Sequence, residues 1–582
     1  MNSPVTNDGS DILTTLYTKL QQLTIDNENV RNAILTFQND HAIANNLYNG
    51  FEQSSMGGVI PTTENLSKNK NILILELGNR LREYGYIQDQ LISMLKLWQQ
   101  QQALAGNGAT LINNLDGIQY CAETLMDRIT EIIIFVNNLQ QLGEDSTLNE
   151  ILRHAQTLQN LLLYSTFIVE KQPPQVIKKS SKFPATIRWL IGDKMGIHLS
   201  KPKIYCEILS EVQAKRLTTE NLNIPPTTNG EVTGNEATME YNSNNRHFSA
   251  SFTNLAVKTI VRSERKGPVI VTDEKCTLLF YASIIHNNYV MKLWTFTLPV
   301  VMVVHGIQEP QSWATITWDN AFSVIDREPF QVTDKVHYSN LLDALNMKFK
   351  YTTGRALTTE NLEFLREKLI FTEDGTTNEY ITFSQFCRDK MPGRGFTFWE
   401  WFYGIMKLTK EHLKQSWCDG QIVGFINKRK TLEGILPFQS NGTFLLRFSD
   451  SEIGGITIAF RDFYNNIMIL APWTSNDLQT LSLADRIRDL DVLKIVYPKM
   501  MPRDAVFGPA PIKKTGRSDY VSSVLKVHIA PQPTSTSQIL DNIDWQSIDL
   551  QELLRSGEEV SDAIMALDPT LNEATPLQCF GI

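Results

Sequence analysis

Apolar residues in the first third of the chain recur with a helical period. Leu13, Leu16, Leu20, Leu23, Val30, Ile34 and Phe37 follow alternating three- and four-residue steps, broken only at Asn27. A second run passes through Ile74, Leu77, Leu81, Tyr84, Leu91, Leu95 and Trp98, with Gln88 as its polar exception. The third is unbroken: Leu111, Leu115, Ile118, Ala122, Leu125, Ile129, Ile132, Val136 and Leu139. The fourth uses Leu148, Ile151, Ala155, Leu158, Leu162 and Val169. Each run puts one apolar stripe on a helix, and such stripes must be buried against one another. The breakers between them are Gly57-Gly58, Gly106-Asn107-Gly108 and the stretch from Gly143 to Ser146. The pattern predicts an antiparallel four-helix coiled-coil bundle over 1–172, the first two helices long, serving as a spacer or docking rod without chemistry of its own.

After Pro173-Pro174 the period drops to two. HFSASFTNLAVKTIV, GPVIVTDEKCTLLFYASII, MKLWTFTLPVVMVV and WATITW are rich in β-branched and aromatic residues and are separated by turns. They predict an immunoglobulin-like β-sandwich over 173–335, interrupted by a polar, mobile loop from Thr218 to Asn245. Helical patterning returns over 336–416. There EDGTTNEYITFSQF faintly resembles half of a calcium-binding helix–loop–helix, but it lacks carboxylates at alternate positions, so no metal is implied. A compact mixed α+β segment follows over 417–510, with GQIVGFINKRKTLEGIL as a helix, TFLLRFS, GITIAF and NIMILAPW as strands, and SLADRIRDL as a short helix. Residues 511–582 are rich in Pro, Lys, Ser and Thr before turning acidic, and predict a flexible tail.

Composition changes this picture in two places. The net charge of −9 is not spread evenly: from Gln538 onward nine acidic residues stand against Arg555 alone, a local −8. The body is therefore close to neutral, which excludes a histone-like polycation but not a local basic groove. The six cysteines include no CxxC pair, so neither a zinc ribbon nor a disulfide framework is expected, and a reducing compartment is. The N-terminus lacks the pattern of a signal peptide, and no apolar run is long enough to span a bilayer. No membrane role is expected.

The chemistry concentrates in TFLLRFSDSE, residues 443–452. Phe444, Leu446 and Phe448 point to one face of the strand, and Leu445 and Arg447 to the other. A strand apolar on both faces is central in its sheet. An arginine there is costly to bury unless an anion meets it. Ser449, Asp450 and Ser451 add hydroxyls and turn N–H groups, a donor-rich cradle for a tetrahedral anion. Arg447 supplies a planar fork for two phosphate oxygens, and Lys428 on the preceding helix a second cation. The bland alternative is an internal Arg447–Asp450 ion pair.

A helix followed by the central strand LLRFSDSE resembles the phosphotyrosine-binding SH2 domain. With WCDGQIVGFINKR upstream, the segment is similar to the signal transducers and activators of transcription, the STAT family. The resemblance extends in order through VEKQPPQ after the bundle, GPVIVTDE and LPVVMVVHGIQEPQSWATITWDN in the sandwich, FWEWFYGIMKLTKEHLKQSWCDG at the linker joint and LKIVYPKMMPRDAVFG at the domain end. STATs often carry a helical oligomerisation domain ahead of the bundle, whereas this chain starts almost at once with the bundle.

The resemblance implies a latent cytoplasmic transcription factor, activated by an upstream tyrosine kinase, that dimerises with itself, enters the nucleus and reads near-palindromic double-stranded DNA. Phosphorylation falls on Tyr520 in TGRSDYVSSVLKV, where Val521, Leu525 and Val527 match the family's spacing. The phosphotyrosine-binding set is Arg447, Lys428, Ser449, Asp450 and Ser451. The DNA contacts are Arg265 and Lys266 in the SERKG loop with Arg262 just before it, Thr272 and Glu274 in the next turn, and His305, which stands where the family usually has a base-contacting asparagine. The final stretch alternates acidic and bulky apolar residues, as activation segments that bind the transcription machinery do. Phosphotyrosine proteins are further partners; no cofactor is implied. A phosphoprotein scaffold without DNA binding is the alternative class. An enzyme is not expected, because GxxxxGK, HExxH, GxSxG and an HRD–DFG pair are all missing.

Overall fold

The computed structural model describes residues 9–48, 62–112, 114–143, 145–196, 201–220, 229–261, 271–286, 289–370 and 377–509. The first four elements are helices: α1 (Gly9–Tyr48), α2 (Thr63–Gly106), α3 (Leu115–Gln140) and α4 (Ser146–Ser165). Leu16, Leu77, Leu125 and Leu162 are all sealed from solvent, so the stripes do meet in one seam. Both polar exceptions lie inside it. Asn27 accepts from the Tyr84 hydroxyl and donates to Glu131 Oε2 at 2.8 Å, and Gln88 Nε2 donates to the Leu158 carbonyl at 3.0 Å. Hydrogen-bonded polar positions of this kind fix the register of packed helices. Two residues of the predicted stripes fall elsewhere: Leu111 precedes α3 and is 38% exposed, and Val169 lies on the first strand.

The sheet region begins with β1 (Phe167–Lys171), β2 (Val176–Lys178), β3 (Phe183–Trp189) and β4 (Lys203–Ser210), followed by α5 (Glu211–Glu220). It continues with β5 (Gly230–Thr233), β6 (Glu236–Thr238), β7 (Glu240–Asn242), β8 (His247–Ile260), β9 (Lys275–His286), β10 (Tyr289–Phe296) and β11 (Val300–Val303). One sheet runs β1-β3-β8-β5 with β7 also on β8; the other runs β2-β11-β9-β4-β6 with β10 also on β9. Two expectations are corrected here. The polar stretch Thr218–Asn245 is not one mobile loop, since β5, β6 and β7 are edge strands laid on β8 and β4. Their glutamates and asparagines are what an edge carries against further pairing. WATITW is not a strand but the middle of α6 (Glu309–Phe322), with Pro310 in its first turn. Ser312 and Ala314–Asn320 are all buried, so the helix shows no single apolar stripe to read.

The linker comprises β12 (Lys335–His337), α7 (Tyr338–Thr353), α8 (Thr359–Ile370), β13 (Tyr380–Thr382), α9 (Phe383–Cys387), α10 (Phe398–Leu408) and α11 (Lys414–Cys418). The last module has β14 (Ile422–Gly424), β15 (Thr443–Phe448), β16 (Ile456–Arg461), β17 (Ile467–Ile469), α12 (Ser475–Thr480), α13 (Leu483–Arg488), β18 (Ile495–Tyr497), β19 (Met501–Pro502) and α14 (Arg503–Phe507). GQIVGFINKRKTLEGIL is thus only half helical. Ile422–Gly424 pairs in parallel with β15, and a helical turn covers Lys430–Ile435.

Two large cores result. One is shared by the bundle and the sandwich, the other by the linker and the last module. Charged groups pin the joints. Arg188, 1% exposed, reaches Glu170 Oε1 at 2.9 Å and Asp116 Oδ1 at 2.6 Å, tying α3 to β1 and β3. Buried Asp319 on α6 holds Lys275 at 2.8 Å and Arg327 at 2.6 Å. Lys348 on α7 caps the end of α2, lying 3.4 Å from the Gly106 carbonyl and 3.3 Å from Asn107 Oδ1. Burial lowers its pKa to about 8.

Tyr84→Phe removes one donor from Asn27 without changing volume. The bundle is expected to lose about 1 kcal/mol, read as a lower urea midpoint at unchanged slope.

Candidate functional site

Every residue of β15 is buried, and the strand lies between β16 and β18 in a six-stranded sheet. Phe444, Leu446 and Phe448 enter the core shared with the linker, while Leu445 enters a smaller core with Leu436, Ala459, Ile467 and Ile469. The strand is apolar on both faces, and Arg447, 3% exposed, is the exception on the second.

The Arg447 guanidinium has partners that hold it without neutralising it. Nε and Nη2 donate to the Ile426 carbonyl at 3.2 and 2.9 Å. Asp450 Oδ1 stands 3.5 Å from Nη2, a loose ion pair with its carboxylate 21% exposed. Burial pulls the Arg447 pKa down and Asp450 pushes it back up, but an arginine stays charged throughout the accessible pH range. The internal ion pair therefore exists, yet it lacks the two parallel short bonds that arginine and carboxylate make when fully matched.

The linker sets this geometry. Asn361 on α8 donates from Nδ2 to the carbonyls of Val423 at 3.0 Å and Phe425 at 2.9 Å, just before the carbonyl that Arg447 grips. Gly424 makes that clamp possible. Its φ is +96°, and a Cβ there would meet Asn361 Oδ1 at 2.7 Å. On the other side, Trp401 Nε1 of α10 donates to the Ser449 carbonyl at 2.7 Å. Ser449 Oγ accepts from Ser451 N at 3.2 Å and lies 3.2 Å from Ser451 Oγ, so the turn after the strand is wound around its own hydroxyls.

Arg447, Ser449, Asp450 and Ser451 are thus brought to one end of β15. Lys428 is half-buried at the start of the helical turn, two residues past the Ile426 carbonyl, with no ion pair among the described residues. Tyr520 and the acidic stretch lie outside the described residues, as do Arg262, Arg265 and Lys266.

The opposite functional expectation concerns one end of the sandwich. His305 is exposed just past β11, where Gln308 Oε1 accepts from the Val304 and His305 N–H groups at 2.9 and 3.2 Å. Thr272, by contrast, is buried beneath α6. Its carbonyl accepts from Thr315 Oγ1 at 3.1 Å, and its own hydroxyl meets no partner among the described residues. Its side chain is not presented at the surface. Glu274 is half-buried and already engaged in an interaction. Sequence reasoning missed Lys178, Lys179 and Lys182, in the KKSSK turn that carries the chain from β2 in one sheet to β3 in the other. All three are exposed, with no carboxylate partner among the described residues. The turn is bonded to the end of β11 and to β8: Lys179 N donates to Val303 O and Ser180 N to Val257 O, both at 2.9 Å. Three lysines in five residues between two strands was the available signal.

A central-strand arginine at the mouth of a hydroxyl-lined turn is the arrangement of an SH2-type module, carried here behind a β-sandwich and a helical bundle. Comparison with known proteins agrees. Residues 11–163 match the STAT transcription factor coiled-coil domain, 171–303 the STAT DNA-binding domain, 325–402 the STAT linker domain and 422–497 the SH2 domain. The chain is 46% identical over 483 residues to the signal transducer and transcription activator of Drosophila melanogaster, covering 79% of this chain and 63% of that one. This chain belongs to the STAT family.

Trp401→Phe keeps the ring in the core but removes the donor to Ser449. A loss of about 1 kcal/mol in stability is expected, with weaker phosphotyrosine-peptide binding in calorimetry. Unchanged peptide affinity would show that the bond does not position the turn.

Proposed function

We propose that this chain is a signal-activated transcription factor whose switch is the delivery of phosphorylated Tyr520 to Arg447 of a second copy. The observation that carries the reading is the burial of the Arg447 guanidinium at the end of a central strand, held by a neutral carbonyl and only loosely by Asp450. Phosphorylation gives Tyr520 a charge of about −1.5 to −2 and three acceptor oxygens. That ester can take the fork of Arg447, with Lys428, Ser449 and Ser451 at the rim. One such contact is modest. Two, exchanged about a two-fold axis, raise the effective concentration and can exceed either alone by about 10²–10⁴. An upstream tyrosine kinase thereby controls assembly, and movement from cytoplasm to nucleus follows dimer formation.

The same dimer presents two sandwich ends to DNA. Arg262, Arg265 and Lys266, joined by Lys178, Lys179 and Lys182, would neutralise phosphates and set the register. His305 is the candidate for a base edge, with Glu274 a second candidate contact at that end of the sandwich. Two half-sites related by the dimer axis make a near-palindrome. A scaffold without DNA binding is less well supported, because residues 171–303 match a DNA-binding domain. The acidic, apolar stretch after Gln538 suits recruitment of transcription machinery.

Arg447→Ala and Tyr520→Phe are each expected to abolish phosphorylation-induced dimers in sedimentation velocity; dimers that persist in either variant contradict the reading. Replacing Lys178, Lys179 and Lys182 together by alanine should flatten the plot of log affinity against log salt by about one unit for each phosphate no longer neutralised, equally on specific and random duplexes.

A further inference from the structure

A cavity of about 250 Å³ lies between the linker and the SH2 module, lined by Asn427 and Asp450 of the SH2 module and by Glu367, Lys368 and Arg394 of the linker. Phe364, Met391 and Trp401 make its apolar floor. Asp450 is the carboxylate that stands 3.5 Å from Arg447, so one side chain borders both the cavity and the guanidinium. Arg394 is exposed and Lys368 half-buried, its ammonium 5.3 Å from the Phe364 ring centre. Neither cation has a carboxylate partner among the described residues, and Asp450 meets no cation there other than Arg447.

A phosphate dianion arriving at Arg447 finds a carboxylate already beside it, and like charges a few ångströms apart repel strongly where water is scarce. Either Asp450 takes up a proton, or it moves. An exit lies next to it, since the cavity has room for a carboxylate and several waters at about 30 Å³ each.

We propose that Lys368 and Arg394 of the linker receive the Asp450 carboxylate when phosphate takes Arg447, which makes the linker a working part of phosphotyrosine recognition. The inference rests on the reading that Arg447 is the phosphate ligand. In the unliganded chain Asp450 compensates the buried guanidinium. In the liganded chain the phosphate takes over that role, and the displaced carboxylate enters a lining whose two cations, Lys368 and Arg394, outnumber its one other carboxylate, Glu367. Lys368 and Arg394 are positioning residues: they act on the phosphate only through Asp450.

The test is a double-mutant cycle on the full, unphosphorylated chain. Its probe is a synthetic peptide spanning Arg517–Val527, phosphorylated at Tyr520. Replacing Lys368 and Arg394 together by alanine is expected to weaken binding about fivefold. Asp450→Asn, which needs no receiver, is expected to bind at least as tightly as the parent. In that asparagine background, removing both cations should change the affinity by less than about twofold. A loss of the same size in both backgrounds would show the cations acting on the phosphate directly and would overturn the relay, as would no loss in the parent. Arg447→Ala is the separate control. Peptide affinity surviving that change would sink the function assigned to Arg447 itself, whatever the cycle gives.

Discussion

A guanidinium taken out of water needs compensation, and the shape of the C-terminal half of this chain follows from how Arg447 obtains it. Full pairing with a carboxylate would stabilise the arginine and close it to any ligand. No compensation would make the strand too costly to fold, since an isolated buried charge is worth several kcal/mol. The chain adopts an intermediate arrangement, with two bonds to one neutral carbonyl and one loose ion pair. Holding that arrangement requires the Ile426 carbonyl to stay in place, which is why Asn361 and Trp401, both from the linker, are bonded to the backbone on either side of the arginine. The site is built by two modules, though its ligand-facing residues come from one.

The same logic of buried charge appears at the other joints. Arg188, Asp319 and Lys348 are each enclosed where two parts of the chain meet, and each is bonded across that joint. Removing one partner from such a cluster strands the other, so these contacts specify how the parts dock more than they add to stability. Their effect is mechanical: the bundle, the sandwich and the linker are connected through ordered joints.

Much of this was legible in the sequence, and the failures have physical causes. The bundle could be read because each helix buries one stripe, and Asn27 and Gln88 stood out as exceptions that proved to be seated in the seam. The alternation of Phe444, Leu446 and Phe448 against Leu445 and Arg447 was enough to place the arginine. Helix α6 was misread because burial on all sides erases the stripe, leaving Thr315, Ile316 and Thr317 to imitate a strand. Strands β5 to β7 were missed because edges are polar. Thr272 looked available because a turn is usually at the surface; here a helix lies over it. The clamp by Asn361 had no signal at all, since a lone asparagine in a helix is ordinary until the backbone it binds is known.

The core beneath the turn that follows β15 is common property. Phe448 packs on Phe425 at 4.9 Å and on Trp417 at 5.6 Å between ring centres, and Trp401 of the linker closes on Phe425 at 5.2 Å. Most modules of this kind are thought of as portable units that can be cut out and joined to new neighbours. Here the inner wall belongs to the preceding helices, and excision along that boundary would lay a slab of aromatic rings open to water. Such a chain can change its partners only at the rim, so its modules are bound to a shared evolutionary fate.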